Sequence, residues 1–150
     1  MIRWVALLGG VLAAAPLRAQ RAWELGPQGL LLLADPAMAT AGLYGAVRPG
    51  GRLRLAATAG GGRQEGSLAT RGEVLLHFML VPAARRGAGV YGLGGAAWSA
   101  GPRDRGYLVL GVGVEWAPAA GAGWALEAGV GGGVRVAAGY RWRWFRAGRR

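Results

Sequence analysis

Cysteine, lysine and asparagine are all missing from this chain, and isoleucine occurs only at Ile2. Without cysteine there are no disulfides and no thiolate metal ligands. His77 is the single histidine, so a metal centre of the usual His/Cys kind has no donor set and no cofactor is expected. With lysine missing, all 18 basic residues are arginine, set against 7 acidic ones, and the formal net charge is +11. Abundant Gly, Ala, Arg and Pro fit the codon bias of a GC-rich genome. Long hydrophobic runs are scarce too. Beyond the N-terminal stretch, no segment reaches the about 18 uninterrupted apolar residues of a spanning helix. The 30 glycines argue against helices altogether, because Gly costs about 1 kcal/mol relative to Ala in a helix interior.

A basic balance raises nucleic acid as a partner. The arginines are instead scattered along strand-like segments and turns, so no nucleic acid is expected. An anionic lipid surface suits the charge better. The N-terminus has the layout of an export signal: Met1-Ile2-Arg3 is basic, residues 4–17 are apolar, and Leu17-Arg18-Ala19 resembles a signal-peptidase site. Residues 1–19 are expected to be a signal peptide, with a retained amphipathic helix as the other reading. Residues 20–150 then form one domain.

Alternating segments separated by turn clusters fill that domain. The pattern predicts eight strands, over residues 23–34, 42–48, 52–59, 67–81, 88–98, 107–116, 123–130 and 134–144. Successive side chains of a strand point to opposite faces. One face carries Leu53, Leu55, Val74, Leu76, Phe78, Leu108, Leu110, Val112, Leu126, Val130, Val136 and Trp142. The opposite face carries Arg54, Arg71, Glu73, His77, Glu115, Glu127, Arg135, Arg141 and Arg143, with Ser67 on the same side. Residues 88–98 are so rich in Gly that their facing is ambiguous. The last segment shows the division most sharply: Val134, Val136, Ala138, Tyr140, Trp142 and Trp144 alternate with Arg135, Ala137, Gly139, Arg141 and Arg143. An apolar face that ends in aromatics suits lipid and its aromatic girdle.

These features predict an all-β fold: a closed antiparallel eight-stranded up-and-down (meander) transmembrane β-barrel with short loops. Strands of this length are close to the roughly 9–11 residues that cross a membrane when tilted, and closure removes exposed edges. Residues 21–145 resemble the small eight-stranded outer-membrane barrels of Gram-negative bacteria, the general class of the OmpA and OmpX proteins. The resemblance is one of pattern. Its sharpest motif is the assembly signal on the final strand of such barrels, matched by Gly139, Trp142 and Trp144; Ala137 stands where a polar residue is usual, and Phe145 to Arg150 follow where the class ends. The resemblance implies outer-membrane lipid and the barrel-assembly machinery as partners, a monomer, and both termini in the periplasm. The exterior loops are then residues 35–40, 60–66, 100–106 and 131–133, all short, which disfavours adhesion.

An eight-stranded interior is only wide enough for side chains. Arg54, Arg71, Glu73, Glu115, Glu127, Arg135 and Arg141 are therefore expected to pair as a lumen charge network that fills the barrel. A turn near Gly62-Arg63 would set Arg54 roughly opposite Glu73, and the final hairpin would bring Arg135 diagonal to Glu127. Trp116, Trp124, Tyr140, Trp142 and Trp144, with Trp23, are read as membrane-interface anchors. Catalysis is not expected. Ser67 and His77 lie ten residues apart on one strand, roughly 33 Å at strand rise, too far for a nucleophile and its base. The predicted function is a non-catalytic outer-membrane barrel of the cell envelope. The alternative is a soluble exported lipocalin-like barrel that binds a small apolar ligand, which would turn its large apolar residues inward.

Overall fold

The computed structural model describes residues 21–146; the expected signal peptide, residues 1–19, lies outside them. Eight strands follow in order: β1 (Ala22–Leu33), β2 (Met38–Gly50), β3 (Leu53–Gln64), β4 (Ser67–Met79), β5 (Ala88–Ala100), β6 (Arg105–Trp116), β7 (Ala122–Val130) and β8 (Val134–Phe145). Each pairs antiparallel with the next, and β8 returns to pair with β1, so the meander closes into a barrel. Closure gives every strand two partners, the condition for placing backbone in lipid, where an unpaired N–H or C=O costs several kcal/mol.

The strands run longer than the sequence pattern predicts at one end. β2 begins at Met38 instead of Gly42, β3 continues to Gln64, and β5 and β6 extend to Ala100 and back to Arg105. Residues 60–64, expected as loop, are strand. Their glycines are there for close approach: a Cβ on Gly62 would run into the Ala39 carbonyl, and one on Gly42 into that of Ala59. The β3–β4 turn consists of Glu65 (φ 52°) and Gly66 (φ 77°) alone, the left-handed pair of a two-residue hairpin. Moving the turn from Gly62-Arg63 to Glu65-Gly66 slides the β3–β4 register by an even number of residues, so no side chain changes face.

Two ends can be distinguished. The terminal end carries Arg21 and Arg146, the first and last described residues, and the turns at residues 51–52, 80–87 and 117–121. The distal end carries the connections at residues 34–37, 65–66, 101–104 and 131–133. Large apolar side chains point outward along the wall: Leu108 is 86% exposed and Leu110 69%, whereas Arg54 and Glu73 on the inner face are fully buried. The inner face also holds two apolar clusters. Tyr44, Leu75, Met79, Tyr91, Leu93 and Val109 form one, and Leu30, Leu32, Met38, Ala69 and Ala137 form the other, near the distal end.

Candidate functional site

The inner face is where the charge sits. Glu24 lies between outward Trp23 and Leu25 on β1, and Arg48 shares its face of β2 with Tyr44 and Ala46. Arg54 comes from β3, His77 from β4, Glu115 from β6 and Arg143 from β8; all are buried. Toward the terminal end these groups converge. Arg48 Nε is 2.5 Å from Glu24 Oε1. Arg54 Nη1 reaches Glu115 Oε2 at 2.8 Å and Glu24 Oε2 at 3.3 Å. Arg143 Nη2 reaches Glu115 Oε2 at 3.0 Å. Arg54 Nε donates to His77 Nδ1 at 3.0 Å, which places the His77 proton on Nε2 and leaves the ring neutral. The ring stacks on Tyr91 with centroids 4.9 Å apart.

A second cluster lies toward the distal end. Arg71 Nε donates to Glu73 Oε1 at 2.9 Å, Nη1 to Ser99 Oγ at 3.3 Å and Nη2 to the Gly131 carbonyl at 2.9 Å. Arg135 Nη2 bridges Glu73 Oε2 at 2.6 Å and Glu127 Oε2 at 2.9 Å. Arg141 joins the two clusters. Its Nη2 donates to Glu127 Oε1 at 2.6 Å, its Nη1 lies 3.4 Å from Glu115 Oε2, and its guanidinium lies 4.1 Å above the Tyr44 ring. Tyr91 Oη also donates to Glu127 Oε1, at 2.8 Å. One network of ion pairs thus runs through the lumen from Arg48 to Arg71. It fits the rule that a buried charge needs a partner, although His77 Nε2, Arg135 Nη1, Arg141 Nε and Arg143 Nε have no hydrogen-bond partner among the described residues. Beside it, Gln28, Thr40, Thr58 and Arg71 line a cavity of about 10 Å³, room for about one water.

The structure brings all seven expected lumen charges, Arg54, Arg71, Glu73, Glu115, Glu127, Arg135 and Arg141, into this network, with Arg143 beside them. Arg135 lies diagonal to Glu127 across the β7–β8 hairpin. The expected Arg54–Glu73 pairing is not made. The register sets Arg54 against His77 and Glu73 against Thr58, because the turn sits closer to β4 than the glycine run suggests. Glu24, Arg48, Tyr44 and Tyr91 are network members that sequence reasoning missed. Strict alternation gave the signal for the first three: each falls opposite an outward apolar face. Ser67 is exposed at the start of β4, and Ser99 Oγ accepts from Arg71.

The outward aromatics collect at the terminal end. Trp116, Trp124, Tyr140, Trp142, Trp144 and Trp23 lie on the adjacent strands β6, β7, β8 and β1. Tyr140 meets Trp124 and Trp142 edge to face, at 5.1 Å and 5.4 Å. Trp23 and Trp144 are direct cross-strand partners. Gly139 lies on the closing seam, where a Cβ would come within 2.7 Å of the Pro27 carbonyl, and a Cβ on Gly26 would run into the Tyr140 carbonyl. Trp98 stands apart, outward on β5, with its indole where a Gly72 side chain would be.

The architecture defines a class: an inside-out, eight-stranded up-and-down barrel with buried charges on its inner face and an apolar outer wall. No family model and no curated protein matches this chain. Among solved structures, it is similar to the N-terminal β-barrel domain of Pseudomonas aeruginosa OprF, with a TM-score of 0.71 and 11% identity over 84% of this chain and 99% of that one. The fold is that of the small eight-stranded outer-membrane barrels.

Proposed function

We propose that this protein is a non-catalytic outer-membrane β-barrel of the bacterial cell envelope, exported by its N-terminal segment, with a structural role and a lumen closed by Arg–Glu pairs. The observation that carries the reading is the inversion of the wall. Leu108, Leu110, Trp124 and Trp116 face outward while ten charged side chains are buried inside. A contiguous exposed apolar belt of this size is untenable in water and natural in lipid. The soluble lipocalin-like alternative needs an apolar cavity for its ligand, whereas the inner face here is occupied by guanidinium and carboxylate groups. Ser99 and His77, the inward nucleophile and base candidates, are each committed to a lumen arginine, which supports a role without catalysis.

Cell fractionation tests the reading. The protein is expected in the outer-membrane fraction, released only by detergent, and migrating differently in gels before and after heating. Recovery in the soluble periplasmic fraction without detergent would overturn it. In a planar bilayer the purified barrel is expected to pass no steady ionic current.

A further inference from the structure

The closing seam of the barrel ends in two arginines that face each other. The Arg146 N–H donates to the Arg21 carbonyl at 2.8 Å, continuing the register in which Ala22 faces Phe145 and Trp23 faces Trp144. By alternation Arg21 shares the outward face of Trp23, and Arg146 that of Trp144. Both arginines are exposed. Like charges directly opposite on neighbouring strands repel, at about 5 Å between Cα atoms. Among the described residues no carboxylate offsets them: the exposed acids are Asp35, Glu65 and Asp104, and all three lie in distal connections. The terminal end instead exposes Arg21, Arg52, Arg85, Arg86 and Arg146.

Resting on the membrane reading above, we propose that Arg21 and Arg146 grip the phosphate of one anionic phospholipid, with its chains lying over Trp23, Trp144 and Trp142. The guanidinium fork matches phosphate oxygens in pairs, and two forks side by side turn mutual repulsion into a shared contact. The indoles directly below supply the amphipathic shelf that sits at headgroup depth. Arg52, Arg85 and Arg86 lack the paired arrangement: Leu53 adjoins Arg52, and a single outward indole, Trp116, opposite Ala88, lies near Arg86. They add a diffuse field that draws anionic lipid to this end, while the seam pair fixes one molecule.

The test reconstitutes the full chain in phosphatidylcholine vesicles containing increasing brominated phosphatidylglycerol or, separately, brominated phosphatidylcholine, and follows quenching of tryptophan fluorescence. Half-quenching is expected at a mole fraction roughly fivefold lower for the anionic lipid, the order that one interfacial arginine supplies. Arg21→Gln/Arg146→Gln should abolish the preference, whereas Arg85→Gln/Arg86→Gln, which removes the same charge, should keep most of it. If the double variant fails to insert, Arg146→Gln alone is expected to lose most of the preference. Equal quenching by both lipids, or equal loss in both double variants, overturns the seam site while the heat-modified, inserted protein leaves the membrane reading standing. Failure of the unmodified chain to insert into either vesicle would sink the membrane reading and the site with it.

Discussion

Glu127 is the most informative single residue to change. Its carboxylate accepts from Arg141 Nη2 at 2.6 Å, Arg135 Nη2 at 2.9 Å and Tyr91 Oη at 2.8 Å. Glu127→Gln keeps the shape but turns one acceptor oxygen into an NH₂ group among donors. At least one donor is then orphaned. The buried set holds six arginines against four glutamates, and His77 is neutral in its bond with Arg54, so the lumen already carries two excess positive charges. The substitution raises that excess to three. Breaking a buried pair costs about 3–5 kcal/mol. The lower figure applies here, because Arg135 retains Glu73 at 2.6 Å, while Arg141 falls back on Glu115 at 3.4 Å and the Tyr44 face. Urea unfolding in lipid vesicles, followed by tryptophan fluorescence and heat-modified gel migration, should therefore show a loss of about 3 kcal/mol. Glu127→Gln/Arg141→Met removes both charges and should recover a good part of it, since replacing a whole pair is far gentler than halving it. A loss below about 1 kcal/mol for the single variant would mean that water screens the lumen as it screens a surface pair. The filled-lumen argument would then be wrong.

Three further outcomes are expected. Leu110→Arg places a charge on a 69% exposed wall position and should cost roughly 2–4 kcal/mol in a bilayer; unchanged folding yield and gel migration would show that Leu110 does not face lipid. Gly26→Ala puts a methyl group into the Tyr140 carbonyl across the seam, so the fraction of folded, heat-modifiable barrel should fall while the same change at exposed Gly61 leaves it nearly intact. Trp142→Ala/Trp144→Ala should slow insertion into the outer membrane in cells while export continues, read as signal-processed protein accumulating in the periplasm; insertion at the normal rate would remove the assembly role assigned to this pair.

The period-two pattern made the barrel legible. Arg54 between Leu53 and Leu55, or Glu127 between Leu126 and Ala128, identifies a face without any knowledge of partners. Parity also survives errors of turn placement, which is why the misplaced β3–β4 turn altered the Arg54 partner and not its direction. Partners were less legible, because they depend on register, and register depends on which glycines turn and which merely allow close approach. Residues 60–62 look like a loop by composition, yet they extend a strand against Thr40, Ala41 and Gly42. Residues 88–98 stayed ambiguous for the same reason: with Gly at 89, 92, 94 and 95, alternation has few side chains to register, and inward Tyr91 could not be told from outward Trp98. Glu24 was overlooked beside the continuous leucines that end β1, though Trp23 had already fixed its direction.

The missing lysines and the charged inner face meet in the geometry of guanidinium. With six cations to four carboxylates, carboxylates have to be shared; in this lumen each serves at least two cations, and several cations also reach two carboxylates. Arg135 does so between Glu73 and Glu127, and Arg54 between Glu24 and Glu115. A planar fork with five donors can span two acceptors and still sit over an aromatic ring, as Arg141 does over Tyr44 and Arg54 over Tyr91 at 4.7 Å. A lysine ammonium is a compact, strongly hydrated point charge and would need water that this lumen has little room to hold. Whatever bias set the arginine content of the chain, the lumen uses the feature that distinguishes arginine from lysine. The inner wall complements it, with small residues such as Gly113, where a Cβ would collide with the Tyr91 ring, leaving the space that the long side chains occupy.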